Sequence, residues 1–440
     1  MSVIVQKFGG SSVADAARIR HCAGRVAEAR RRGSHVAVVV SARGDTTDEL
    51  IALAGELSEQ PDRREMDQLL ACGEQISISL MSMALKGLGI DAVSLTGAQC
   101  GIRTDGQHTR ARIRSVDPGR LNREFAAGRV PVVAGFQGVT DSGDVTTLGR
   151  GGSDTTAVAL AAAVGAAVCE IYTDVDGVYT ADPRLVPRAR LLDTIRYDEM
   201  MEAASQGAKV MHLRAVELGK RAGVPIRVLH SLRHGRGTLI TDHGSGMETQ
   251  RAVSTVALKT DIGRVTLAGL PNRPGLQRMF FDRISEAGIS VDDIIQTEAL
   301  GVDGQETGPD FAQSHADTPT SGRCNIVFTL DKTDLAEVKP LVEAALTELG
   351  HGRLHIDLGL AKVSAVGVGM QSQPGVAARM FQALAEAGIR IANITTSEIK
   401  ISCILDEAEG KNALKVVHDA FDLGSDVVVS GSRLHVQHRV

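Results

Sequence analysis

The C-terminal part of this chain is written twice. PNRPGLQRMFFDRISEAGISVDDIIQ begins at Pro271, and QSQPGVAARMFQALAEAGIRIANITT begins at Gln371. Laid over each other without a gap, Pro274 meets Pro374, Gly275 meets Gly375 and Phe281 meets Phe381. The Glu286–Ile289 run then meets Glu386–Ile389. Each copy follows a β-branched run (Arg264–Ala268; Ala361–Val366), and another strand follows its helix. A repeated unit that cannot bury its apolar face alone packs against its copy. Two copies are too few for a solenoid and enough for a pseudo-symmetric pair of βαβ-based modules with a ligand cleft between them.

Ahead of the repeat, short β-branched runs alternate with amphipathic helices. The strands expected are Val3–Gln6, Val36–Val40, Ala92–Leu95, Val130–Ala134, Cys169–Thr173 and Pro225–Val228. The helical patterns include Ala14–Arg31, Met66–Leu88, Asp154–Val164 and Tyr197–Ala222. Strand, crossover helix, strand predicts an α/β fold with a largely parallel sheet covered on both faces. Such sheets bind ligands at the carboxyl ends of their strands. From Ser231 to Gln250 the composition turns to glycine, histidine and small polar residues, which marks a boundary; His234 and His243 read as linker residues without metal partners. Glu298–Arg323 is polar and aperiodic, and a long mobile loop is expected there.

Composition narrows the function. The 440 residues allow two domains or three. With 3 % aromatics, no tryptophan and a net charge of −5, the chain lacks both base-stacking surface and the field to bind nucleic acid. Arg30–Arg32 closes a helical pattern and reads as a solvated face. Cys22, Cys72, Cys100, Cys169, Cys324 and Cys403 form no C-x-x-C pair, and several sit in apolar stretches, as reduced buried thiols do. MSVIVQKFGG enters a strand without a signal-peptide core, and Ala157–Val168 is too short to span a bilayer. A cytoplasmic protein without membrane contact is expected.

Chemistry gathers where strands end. In TTLGRGGSDTTAVALAAAV (Thr146–Val164), Ser153, Asp154, Thr155 and Thr156 are candidate caps for a helix read as Ala157–Val164. Gly149, Gly151 and Gly152 make sense where backbone turns sharply or approaches a ligand. A helix N-terminus attracts phosphate, and Arg150 with Asp154 favours a site over an ordinary capped turn. KFGGSS (Lys7–Ser12) joins a fixed ammonium to a glycine turn without being a Walker A. SARGDTTDEL (Ser41–Leu50) offers hydroxyls at Ser41, Thr46 and Thr47, and Glu74 sits on a helix among apolar neighbours, where a charge needs a partner.

In their order these clusters resemble the aspartokinases. The carriers are KFGGSS, SARGDTTDEL, REMDQLLACGEQIS at Arg64, VAGFQGV at Val133 and TTLGRGGSDTTA at Thr146. YTDVDGVYTADPR at Tyr172, YDEMMEAASQGAKV at Tyr197 and TSEIKIS at Thr396 complete a match along nearly the whole chain. The resemblance implies an amino-acid-kinase domain (carbamate-kinase-like, three-layer αβα) over 1–245 and a joining segment over 246–262. Two βαββαβ ferredoxin-like ACT modules follow, over 263–345 and 346–440. It also implies phosphoryl transfer from ATP, with Mg²⁺, to the β-carboxylate of L-aspartate, the first step towards lysine, threonine and methionine.

Carried onto this sequence, the resemblance makes Lys7 the group that stabilises the transferring phosphoryl and Asp154 the group that orients Lys7 and the phosphates. Gly9, Gly10, Ser11, Gly151 and Gly152 bring backbone to the phosphates, and Thr173, Asp174, Tyr179, Arg184 and Lys209 form the nucleotide pocket. Arg150 clasps the α-carboxylate of aspartate, a bidentate pairing suited to arginine, and Glu74 receives its ammonium. Ser41, Thr47, Gly152 and Ser153 help to place the substrate. Mg²⁺ bridges phosphate oxygens mostly through water, which calls for no carboxylate cage.

For the modules the resemblance implies lysine and/or threonine as effectors and a homo-oligomer, dimer or tetramer. The effector residues fall at Asn272, Pro274, Gly275 and Gln296 in the first copy, and at Gln373, Gly375, Asn393, Ile394, Thr396 and Ser397 in the second. Asn272 stands where relatives carry aspartate and Thr297 where they carry asparagine. The loss of a charged hydrogen bond, about 1.5–3 kcal/mol, points to weakened feedback, against a compensated site with normal inhibition. Arg43 replaces a common methionine, and Met247 is a candidate internal start for a separate regulatory subunit. Two rivals remain: an enzyme of the same fold acting on another small carboxylate, and a non-catalytic ACT sensor.

Overall fold

VIVQKF becomes a central strand, buried from Val5 to Phe8 and paired in parallel with a neighbour on either side. The computed structural model describes residues 2–208, 210–242, 251–298, 322–371 and 373–425. They cluster into two units: Met1–Ala257 with Val366–Val376 and the described stretch from His418, and Leu258–Ala365 with Ala377–Val417.

In chain order the first unit contains β1 (Val3–Phe8), α1 (Ala16–Arg31), β2 (His35–Val40), α2 (Thr46–Leu57), α3 (Arg63–Gly87), β3 (Ala92–Leu95), β4 (Ile102–Thr104), β5 (Ile113–Val116), α4 (Gly119–Ala126), β6 (Val130–Ala134), β7 (Gln137–Val139), β8 (Val145–Thr147), α5 (Gly152–Ala163), β9 (Val168–Thr173), β10 (Thr194–Ile195), α6 (Tyr197–Ser205), α7 (Leu213–Ala222), β11 (Ile226–His230) and β12 (Thr238–Ile240). An eight-stranded sheet runs β10-β12-β11-β9-β1-β2-β6-β3, and a four-stranded one runs β5-β4-β7-β8. Alternate residues of β2 feed two cores. Ala37 and Val39 join α5 and α7 residues such as Leu160 and Val216. Val36, Val38 and Val40 join Ile19, Val26 and Met81 from α1 and α3. The result is three layers, helices over sheet over helices. Met81 is fully buried, and Met81→Ala would cost about 2–5 kcal/mol.

The parallel pairings put four strand ends in line. Phe8 pairs with Val40 and with Tyr172, and Val40 pairs with Ala134. The loops that follow open with Gly9, Ser41, Gly135 and, one residue further along β9, Asp174, so one edge of the sheet collects four polar segments.

The second unit holds a six-stranded sheet. Its elements are β13 (Thr255–Pro271, which begins in the first unit), α8 (Leu276–Glu286), β14 (Asp292–Glu298), β15 (Arg323–Asp331), α9 (Leu335–Leu349), β16 (Arg353–Val366), α10 (Val376–Glu386), β17 (Ile391–Ser397), β18 (Lys400–Asp406) and α11 (Gly410–Ala420); the last residue of β16, the first of α10 and the end of α11 from His418 belong to the first unit. The order β14-β15-β13-β16-β18-β17 sets the two copies side by side, with their first strands at the centre. In the first copy Phe280, Ile284, Val338 and Val342 bury helix faces against Val265, Leu267 and Phe328. Lys362 of β16 is 1 % exposed and is held by Asp292 at 2.6 Å and Asp293 at 2.8 Å.

Several expectations change. The Tyr197–Ala222 pattern is two helices, because the chain leaves α6 at Gln206 and Gly207 takes φ +106°, which a helix interior does not admit. Helix α5 begins at Gly152, capped by Gly151 in the left-handed region, and no side chain caps it. Thr155 and Thr156 donate back to the carbonyls of Gly151 and Gly152 instead. The Ser231–Gln250 stretch is more than a linker: Thr238–Ile240 is strand β12 of the main sheet, and His234 Nδ1 lies 2.8 Å from Arg25. Lys209, His243, Met247 and nearly all of the Glu298–Arg323 stretch lie outside the described residues. Five cysteines are buried and only Cys72 is exposed, all free. Among the described residues no helix is long and apolar enough to cross a membrane.

Candidate active site

Lys7 is the last residue but one of β1, and its ammonium lies 2.6 Å from Asp154 Oδ1 in the first turn of α5. The two side chains form an ion pair, each only slightly exposed. The turn after β1 is tight. A Cβ on Gly10 would lie 2.8 Å from the Ala42 carbonyl, and one on Gly9 would lie 3.5 Å from the Lys7 ammonium. The Gly9 N–H donates to the Tyr172 carbonyl at 3.3 Å, which places the end of β9 beside it.

Ala42 links this turn to α3. Its N–H donates to Glu74 Oε1 at 2.9 Å, and Gly73 lets the helix come close, since a Cβ there would meet the Ala42 methyl at 2.8 Å. Glu74 is 2 % exposed, and its Oε2 has no partner. Burial pushes this carboxyl up to about 7, with the Ala42 N–H pulling the other way. A half-satisfied buried carboxylate beside a polar turn is costly unless a cation completes it.

Arg150 is exposed and makes no hydrogen bond or ion pair with another described residue, while the backbone around it is fixed. Gly149 and Gly151 have φ of +74° and +70°. Arg214 of α7 donates to the Leu148 carbonyl at 2.9 Å and to the Ala111 carbonyl at 2.8 Å. His212 lies so close to Gly151 that a Cβ there would fall 2.1 Å from the imidazole Cγ. Burial pulls the His212 pKa down, against the pull of Asp154, so its ring is neutral. Gly152 passes under Phe136, and Ser153 packs against Gly135.

A fixed ammonium, a half-satisfied buried carboxylate and an outward guanidinium on a rigid glycine loop suit a small zwitterionic acid and a polyphosphate. Residues 2–230 match the family model described as the amino acid kinase family, and residues 363–421 that of an ACT domain. An aspartokinase of Mycolicibacterium smegmatis is 46 % identical, covering 98 % of this chain and 100 % of its own length. The chain belongs to the aspartokinase family. Among solved structures, E. coli aspartokinase III in complex with aspartate and ADP (R-state) matches with a TM-score of 0.76 at 25 % identity, over 95 % of this chain and 99 % of that one. The same enzyme in complex with lysine and aspartate (T-state) matches with a TM-score of 0.71 at 25 % identity, over the same shares.

The remaining aspartokinase positions are distributed unevenly. Ser41 follows β2, with its N–H on the Phe8 carbonyl at 3.1 Å, and Thr47 lies in the first turn of α2. Ser11 is exposed, and its carbonyl accepts from Arg18 at 2.6 Å. Thr173, the last residue of β9, donates to Asp174 at 3.1 Å, and in the segment after it Tyr179 donates to Asp176 at 3.0 Å. Arg184 is 86 % exposed and pairs with Asp182 at 2.7 Å, with a weaker pull from the Asp174 charge. Arg43 reaches back to the Ala14 carbonyl at 2.8 Å, tying the loop after β2 to the start of α1.

In the first module Gln277 Nε2 donates to Gln296 Oε1 at 2.6 Å, and Gln296 Nε2 to Asn272 Oδ1 at 3.3 Å. Pro274 and Gly275 (φ +85°) lead into α8, and Thr297 follows Gln296 on β14. In the second, Gln373 and Gly375 (φ +92°) precede α10. Asn393, Ile394, Thr396 and Ser397 lie on β17, where Asn393 Oδ1 accepts from the Ile394 N–H at 2.9 Å.

The sequence reading did not single out Asp67, His108, His212 or Arg214. Asp67 had a signal: it stands seven residues before Glu74 on one helix, and that spacing returns to the same face. The others are brought in by tertiary contacts that no local spacing announces.

Proposed function

We infer that this chain transfers the γ-phosphoryl group of ATP to the β-carboxylate of L-aspartate. The observation that carries this reading is Glu74: a buried carboxylate with one oxygen on the Ala42 N–H and the other without a partner, held beside the turn that presents Lys7. An α-ammonium completes it. Arg150 takes the α-carboxylate of the same substrate, and the two contacts turn the β-carboxylate towards Lys7.

ATP lies along the ends of β1 and β9, with its phosphates over Gly9, Gly10 and the N-terminus of α5, and its nucleoside near Thr173, Asp174 and Tyr179. Lys7 neutralises charge that develops on the transferring group, and Asp154 holds the ammonium in place. Among the described residues no group of three or more His, Cys, Asp or Glu could hold a metal ion. Asp154, beside the phosphate turn, would hold Mg²⁺ brought in with the phosphate oxygens of the nucleotide. When bound, the ion withdraws charge from those oxygens. Holding two anions in line within a fixed frame is the main service of the site.

The side-by-side modules support a sensor for lysine and/or threonine, with assembly into a homo-oligomer in the cytoplasm. The test is ATP- and Mg²⁺-dependent formation of the acyl phosphate, trapped as its hydroxamate, with lysine and threonine alone and together. Glutamate or carbamate used in preference to aspartate would overturn the assignment.

A further inference from the structure

Asp67 is 0 % exposed, and no step described so far uses it. Its Oδ1 accepts from the Thr109 N–H at 3.0 Å and from the Thr147 hydroxyl. Its Oδ2 lies 2.7 Å from His108 Nδ1 and 3.1 Å from the Thr109 nitrogen. One carboxylate on α3 thus gathers the loop before Ala111 and the end of β8.

Both partners bear on Arg150. Thr147 precedes the Leu148-Gly149 turn that carries it. Thr109 has φ +68°, a conformation costly for a β-branched residue, and its carbonyl sits where a Cβ on Gly149 would lie 3.1 Å away. The Ala111 N–H adds a bond to the Thr147 carbonyl at 2.9 Å. The loop is therefore braced on the helix that also bears Glu74, two turns further along the same face.

We propose that Asp67, with His108, is a positioning residue for aspartate: it fixes the distance between Glu74 and Arg150 by tying the loop under Arg150 to α3. This rests on the reading of Glu74 and Arg150 as the substrate pair. Asp67 touches neither substrate. Its effect runs through Thr109 and Thr147, so it falls on aspartate binding and not on ATP.

The test is steady-state kinetics on Asp67→Asn, which keeps the volume but removes the charge and turns an N–H₂ towards one of the donors. The expected result is a KM for aspartate raised about tenfold or more, from the loss of charged hydrogen bonds, with the KM for ATP and the turnover at saturating aspartate little changed. A merely structural role would lower turnover through loss of active enzyme and leave both KM values alone, and that outcome overturns the proposal. Thr147→Val and His108→Gln each remove one partner and carry the test if Asp67→Asn does not fold. An unchanged aspartate KM in both overturns it too. Arg150→Ala separates the two levels. If it leaves the aspartate KM unmoved, the reading of the site has failed; if it raises that KM while Asp67→Asn does not, only the positioning role has.

Discussion

The Asp154 carboxylate stands 2.6 Å from the Lys7 ammonium, with the two side chains only 13 % and 11 % exposed. Neither charge is stable there alone, and removing one partner of a buried pair leaves the other uncompensated. Lys7→Ala is therefore expected to lower turnover by on the order of a thousandfold and also to lower the melting temperature. Adding Asp154→Asn to that variant should restore the melting temperature without restoring activity. Recovery of activity in the double variant would show that Lys7 is structural.

Glu74 makes the enzyme sensitive to pH in a predictable direction. In the role proposed for it, its carboxyl, raised by burial to about 7, ionises to take up the substrate ammonium. The KM for aspartate should fall as pH rises through about 7, and this dependence should vanish in Glu74→Gln, whose KM is high throughout.

The same shift acts on stability. A carboxyl raised in the folded state keeps a proton that the unfolded chain releases, so stability is lost as pH rises from the ordinary carboxylate range towards about 7. Without substrate, Glu74→Gln should be more stable than the parent at pH 8, by ~3 kcal/mol at most, and the gain should shrink towards pH 4. Thermal melts at the two pH values measure it, and a gain independent of pH would contradict the burial argument.

Gly151 combines a left-handed backbone with no room for a side chain. Gly151→Ala costs about 1–2 kcal/mol for the conformation and adds a clash with the His212 ring. Aspartate binding should weaken more than ATP binding, because Arg150 is the adjacent residue. His212→Ala in the same chain should recover part of the loss, and a double-mutant cycle read in the aspartate KM gives the coupling.

In the first module the amides of Gln277, Gln296 and Asn272 satisfy one another in a row. None of these three side chains carries a charge for an effector's ammonium. Asn272→Asp adds one and should sharpen inhibition by lysine or threonine about tenfold in the concentration required. Inhibition curves that superimpose on those of the parent would show that the position is silent.

Strands were legible where β-branched runs met polar ends: β3 and β6 fall at Ala92–Leu95 and Val130–Ala134, as the alternation implied. Helix starts depended on side-chain chemistry that pattern alone does not resolve. Helix α3 begins at Arg63, three residues before its apolar periodicity, because Asp62 accepts from the N–H groups of Arg64 and Glu65. At α5 the candidate cap Asp154 turns to Lys7, so a glycine takes the capping place. That Lys7 and Asp154, carried by two separate motifs, meet was within reach. Asp67 and His108 meet across 41 positions of chain, and only folding reveals why either is there.

The compact unit that carries Lys7 is not a continuous piece of the gene. Glu199 of α6 accepts from the Ser254 hydroxyl at 2.5 Å and from the Val368 N–H at 3.1 Å, and the Thr180 hydroxyl lies 3.0 Å from His418 Nε2. Val368 and His418 are both encoded within the stretch 346–440 of the second module. A truncation after residue 257 would therefore strip the kinase of internal bonds, not merely of its sensor. Recombination between relatives faces the same constraint: an exchange of modules that keeps the enzyme whole has junctions at four places, and a single crossover in the linker does not supply them.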